Sequence, residues 1–183
     1  CSMLFTMPAL AWAADEPQNT NIDNGLIAYY DFENVNEKKV PNVQGEEKYA
    51  GTLSGDNVSV EDGTLFGKSL KFTEGTQGVM TIPQIMNTGE KSYSVSMWFK
   101  YDTTTDRGGK KTVLLQQNGA GRTFLQFTSD NKYATYVNQT DVFSDKTFDA
   151  KQWQHVTITY DTDTKKVTFY VNGESDGEKA AGN

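Results

Sequence analysis

The chain has 183 residues, 36% of them hydrophobic and 12% aromatic, enough to close a core without disulfides or a structural metal. Its 24 acidic and 17 basic residues give a net charge of −7. That balance excludes the phosphate neutralisation on which nucleic-acid binding rests, and it disfavours docking on anionic membranes. The nearest thing to a basic patch, Arg107 beside Lys110 and Lys111, is too small to alter this.

The first residues differ from the rest. From Ser2 to Ala14 there is no charge, and Met3 to Met7 is mostly apolar. Pro8 breaks that run, Ala11-Trp12-Ala13 has the small-x-small form of a signal-peptidase site, and Asp15 and Glu16 follow at once. Residues 1–13 are therefore expected to be the remnant of a secretory signal peptide, the alternative being a short buried helix. The run is too short to span a bilayer, so the mature domain is expected outside the cell or on its surface, without membrane insertion. Cys1 is the sole cysteine and is read as part of the leader, not as a lipidated first residue, because an apolar run follows it.

Residues 14–24 form a polar lead-in without a period. Leu26 to Phe32 then has the length and aromatic content of a strand. Gly67 to Phe72 and, more loosely, Gly78 to Ile82 alternate polar with apolar residues, and Ser92 to Lys100 keeps the alternation longest. A period of two places one face in a core and the other in solvent or against a ligand. Further strands are expected at Thr112–Gln116, Thr123–Thr128, Tyr133–Val137, His155–Tyr160 and Val167–Val171. Ser129-Asp130-Asn131 and Asp161 to Thr164 join neighbours at hairpin spacing, and Asn172-Gly173 is the strongest hairpin signal, both residues tolerating positive φ. No stretch shows a capped helical period. The expectation is an all-β, two-sheet antiparallel sandwich or barrel. Because the chain stops soon after Asn172-Gly173, either Glu174 to Ala181 forms the return strand poorly or that strand lies beyond Asn183; the second is expected, leaving the domain truncated at its C-terminal strand.

Four segments resemble elements of bacterial laminin-G-like modules of the concanavalin A-like superfamily. They are Gly25-Leu26-Ile27-Ala28-Tyr29-Tyr30-Asp31-Phe32, Leu65 to Phe72, Tyr93 to Lys100, and Trp153 to Asp161 followed by Val167 to Gly173. The resemblance implies a jelly roll over residues 25–183 with one concave face, serving carbohydrate or protein recognition. It implies an accessory module of a larger secreted or surface protein. The closing strand that such modules carry beside the opening one is absent here, in line with truncation.

Three functions are weighed on that frame: recognition of a glycan or polysaccharide, adhesion to a surface or matrix protein, and glycoside hydrolysis. Hydrolysis needs two carboxyls about 5–10 Å apart. The acid-rich strand motif of the hydrolases with this fold does not occur, and Glu33, Glu37, Glu46 and Glu47 fall in apparent loops. His155, the only histidine, stands where the resemblance implies a structural one, and no zinc set can be assembled. Calcium is expected, if anywhere, at Asp31, Glu33 and Asn34 after the opening strand, with Asp161 and Asp163 as a second cluster; the competing reading for both is turn chemistry. For a sugar, the candidates are Arg122, Phe124 and Gln126 on one strand face, Tyr133 and Thr135 on the next, and Arg107 in an overhanging loop.

Overall fold

The computed structural model describes residues 24–44, 46–63, 65, 67–73, 78–86, 90–101, 112–116 and 123–182. The expected leader, 1–13, and residues 14–23 of the lead-in lie outside the described residues. The chain divides into two compact units, Cys1–Pro83 and Gln84–Asn183. Every assigned strand pairing is antiparallel, and no α-helix occurs among the described residues.

In the first unit, β1 (Lys39–Val40), β2 (Gly51–Ser54) and β5 (Val79–Thr81) form a three-stranded sheet in the order β1-β2-β5. The pair β3 (Val58–Asp62) and β4 (Lys68–Phe72) forms a two-stranded ribbon. Val40 and Leu53 are its buried hydrophobic anchors. Gly51 is required by packing: a Cβ there would meet the side chains of Met80 and Ile82.

The expected opening strand, Leu26 to Phe32, does not enter a ladder. Its backbone is served by one side chain instead. Asn42 Oδ1 accepts from Tyr29 N–H at 2.8 Å and Asn42 Nδ2 donates to the Ile27 carbonyl at 3.1 Å. A single main-chain bond, Val43 N–H to the Tyr29 carbonyl at 2.9 Å, completes the attachment. Leu26, Ile27 and Tyr29 remain exposed. Apolar content at strand length was thus a wrong sign of pairing, and Phe32 leaves the β region altogether at φ 64°.

The second unit holds β6 (Tyr93–Lys100), β7 (Thr112–Gln116), β8 (Thr123–Phe127), β9 (Lys132–Val137), β10 (Thr140–Thr147), β11 (Trp153–Asp161), β12 (Lys166–Val171) and β13 (Glu174–Ala180). They make two four-stranded sheets, ordered β10-β9-β8-β7 and β13-β12-β11-β6. Alternation decides what lies between them. On β11 the residues Gln154, Val156, Ile158 and Tyr160 are buried, while Trp153, His155, Thr157 and Thr159 are not. Phe99, Phe127, Tyr133 and Phe148 interlock between the sheets, with ring centroids 4.7–6.1 Å apart. Each such side chain contributes about 1.5–3 kcal/mol on burial. This is the expected antiparallel jelly-roll sandwich.

The turns follow from their residues. Asn172 and Gly173 have φ of 51° and 84°, as a two-residue hairpin with the twist of its strands demands. Asn138 and Gln139 turn β9 into β10 in the same way, at φ 49° and 59°. After β11, Asp161 Oδ1 accepts both the N–H and the hydroxyl of Thr164, which holds the Asp161 carboxyl below its usual range. Asp161 is thus used in turn chemistry.

The return strand expected beyond Asn183 is present within the chain as β13, paired to β12 from Val171↔Glu174 to Lys166↔Ala180. It was invisible as a strand because it has no apolar period. An outermost strand with one free edge does not need one, and charge on that edge opposes unwanted pairing. A register shift between Thr168 and Tyr170, at Gly177 with φ 79°, lets its charges spread to both sides.

Candidate functional site

The two sheets of the second unit each turn one face away from the core. On the β7–β10 sheet the core side is fixed by Leu125, Phe127, Tyr133, Val137 and Val142. The opposite side follows from register: Val113 stands across from Gln126, Gln126 from Ala134, and Ala134 from Phe143, with Tyr136 facing Asp141 in the next row.

That register sorts the residues expected to bind a ligand. Tyr133 and Thr135 are at 0% exposure on the core side, so they present no surface to a ligand. Alternation had correctly paired them on one face, but two faces are symmetric in sequence and this pair belongs to the interior. Phe124 also turns inward. The register between β7 and β8 shifts beside it, and its ring meets Tyr93 edge-on at 5.2 Å. Gln126 is the described candidate that lies on the outward side; it is only 4% exposed and donates from Nε2 to Asp141 Oδ1 at 3.2 Å. Arg107 and Arg122 lie outside the described residues.

The structure adds Tyr136, Asp141 and Phe143, which sequence reasoning missed. Their signal was present: a two-residue turn at Asn138-Gln139 dictates that Tyr136 opposes Asp141 and Ala134 opposes Phe143. The result is an amide–carboxylate pair reaching from β8 to the outermost strand β10, with Val113 on β7 and Phe143 on β10 exposed beside it. Such a pair offers donors and acceptors to neighbouring hydroxyls, while the rings of Tyr136 and Phe143 offer apolar surface. Asp145, four residues further along β10 and past a register shift, is ion-paired to Lys179.

Asp31, Glu33 and Asn34 do come together in a turn, but their carboxylates are engaged. Asp31 Oδ1 accepts from Glu33 N–H at 3.0 Å, and Glu33 Oε1 accepts from Lys68 N–H at 2.7 Å. A Cβ at Gly67 would displace the Glu33 carboxylate from this position. Among the described residues, no group of three or more His, Cys, Asp or Glu side chains is placed to hold a metal ion. A shallow groove in the same unit is lined by Asn36, Lys39, Pro41, Asn42, Glu47 and Ala50, and its exposed Lys39–Glu47 pair reads as surface charge balance.

The outward face of the other sheet is different in kind. His155 Nε2 lies 2.8 Å from Ser96 Oγ, which is 3.0 Å from Thr157 Oγ1, and the imidazole leans on Trp98 at 5.0 Å between ring centroids. Partial burial lowers the His155 pKa, favouring the neutral ring. The Ser–His contact has the length of a nucleophile–base pair, but among the described residues no carboxylate orients the imidazole as a triad requires.

Comparison with known proteins agrees with this architecture. No curated protein matches the chain. A crystal structure at 1.50 Å of a candidate carbohydrate binding protein from Bacteroides ovatus ATCC 8483 is 18% identical, covering 75% of this chain and 34% of that one, with a TM-score of 0.41. The chain thus spans about a third of the length of that protein. The family profile of the concanavalin A-like lectin/glucanases superfamily matches residues 74–183, more than half of the sequence. With two antiparallel sheets around one aromatic core in that same stretch, the chain belongs to the concanavalin A-like lectin/glucanase superfamily.

Proposed function

We propose that this chain is an extracellular, non-catalytic glycan-recognition module within a larger secreted or surface protein. Its binding surface is the outward face of β7–β10. The observation that carries the reading is the Gln126–Asp141 pair, an amide on β8 and a carboxylate on the outermost strand β10, on a face that also exposes Val113 and Phe143. A carboxylate so placed takes paired hydroxyl donors, and the adjacent amide serves hydroxyls in either sense. The uncharged leader-like stretch at residues 1–13 supports export.

The test is a glycan array probed with the whole chain and with Asp141→Ala. Asp141 is only half-buried, so the variant folds and its stability is checked by urea unfolding. Retention on a defined set of glycans, weakened about tenfold or more by Asp141→Ala, is the expected result. Equal binding by both proteins would move the site elsewhere, and release of reducing sugar from any retained glycan would overturn the non-catalytic reading.

A further inference from the structure

On β6, β11 and β12 the outward face is a continuous surface fixed by register. Lys100 faces Trp153, Trp98 faces His155, Ser96 faces Thr157, and Thr157 faces Tyr170 in turn. None of these residues is buried. Trp98 is 44% exposed, an unusual position for the largest apolar side chain on a strand whose Phe99 already serves the core. Its indole is held in place by the His155 ring, and His155 is held by Ser96 and, through its backbone N–H, by Asn172 Oδ1 at 2.8 Å. The aromatic surface is thus fixed beforehand, which lowers the entropic cost of contact.

The chemistry of the neighbours narrows the occupant. Ser94, Ser96, Thr157, Thr159 and Thr168 line the same face with hydroxyls. Over the rows from Trp153 to Thr159 on β6, β11 and β12, Lys100 is the one charged side chain, and it stands over the Trp153 ring at 5.8 Å from the centroid; at the far border Glu178 on β13 stands across from Thr168 and is neutralised by Lys166. On a chain of net charge −7, a nearly uncharged field of hydroxyls and rings is suited neither to an anionic polymer nor to a strongly basic one. Apolar protein surface as a partner would leave the hydroxyl rows without hydrogen bonds.

We propose that this face is a second glycan-contacting surface, taking a neutral saccharide chain across Trp98, Ser96, Thr157 and Tyr170. The ligand class rests on the glycan-recognition reading above, while the surface is distinct from the Gln126–Asp141 face. From Trp98 to Tyr170 the path crosses two strand spacings and one row, about 12 Å. That is the reach of several linked sugars, so an extended polysaccharide is preferred over a single ring.

The test is affinity electrophoresis of the whole chain in native gels containing laminarin, galactomannan, hydroxyethylcellulose or, as the acidic control, polygalacturonate. Trp98→Ala, Trp98→Phe and Asp141→Ala are run beside it, each first shown to unfold cooperatively in urea. Retardation by a neutral polymer is expected to weaken roughly tenfold in Trp98→Ala and to be largely kept in Trp98→Phe, as removing and restoring an aromatic anchor should do. Trp98→Ala migrating as the parent while Asp141→Ala loses retardation would overturn this second surface and leave the first intact. Stronger retardation by polygalacturonate than by any neutral polymer would also overturn it. A parent chain unretarded by every polymer would remove both.

Discussion

Tyr133 offers a sharp test of the packing, because two large effects oppose each other at one side chain. It is fully buried, its ring packs on Phe99 and Phe148, and its hydroxyl has no hydrogen-bond partner among the described residues. Burial, and then the nearby charge of Asp149, push its phenol pKa well above the ordinary range. A buried hydroxyl left without a partner costs about 1–3 kcal/mol, whereas the ring itself is worth about 3–5 kcal/mol if truncated to alanine. Tyr133→Phe removes the first and keeps nearly all of the second, the only loss being the contacts of one oxygen. The substitution is expected to stabilise the protein by about 1 kcal/mol. In urea, the midpoint should rise with an unchanged slope, and the thermal midpoint should rise by about 2–4 °C. Tyr133→Ala should lower stability by about 3–5 kcal/mol. Since Tyr133 faces the core, glycan retention by Tyr133→Phe should match the parent. A loss of more than about 1 kcal/mol on Tyr133→Phe would refute the reasoning, since it would mean that the hydroxyl is bonded after all.

Two further outcomes follow from the site geometry. Glu33→Ala removes the bond from Lys68 N–H and should destabilise the protein by about 1 kcal/mol in urea unfolding; a rise of the parent's thermal midpoint in millimolar calcium, lost in Glu33→Ala, would assign a metal role to this turn. His155 has a folded pKa below its unfolded value near 6.5, so the unfolded chain binds the extra proton first as pH falls. Its contribution is therefore complete above pH 6.5 and is lost as pH drops through the folded pKa. The His155 ring signals in NMR should titrate with a midpoint below 6.5, and a midpoint above it would contradict the burial.

How much of this could be read from sequence depended on whether a residue's neighbours constrained it. β6, β11 and β12 were legible because every second side chain, from Tyr93 to Phe99, from Gln154 to Tyr160 and from Val167 to Val171, enters one core. Asn172-Gly173 was legible because few other residues accept that turn. β13 was not, since Glu174 to Ala180 bury little and their pairing is imposed by the hairpin before them. The binding residues failed for a third reason. Alternation grouped Tyr133 with Thr135 correctly but carries no label for inside and outside; only packing against Phe99 of the opposite sheet and Phe148 of the connection after β10 supplies it. Asp141 was overlooked because its importance comes from Gln126, fifteen residues earlier, brought opposite by two hairpins.

The charged strand β13 also has a bearing on how copies of this module behave when crowded. Asp176 turns its carboxylate onto the N–H groups of Asp145 and Lys146, at 2.6 and 2.9 Å, so a side chain occupies donors on the border strand β10. Glu174 and Glu178 pair with Lys146 and Lys166, placing solvated ions along β13 itself. A neighbouring polypeptide that tried to extend either sheet at its β10 or β13 border would have to strip these groups of water and displace an ion. At those two borders, copies of this chain pressed together therefore resist fusing into a ribbon.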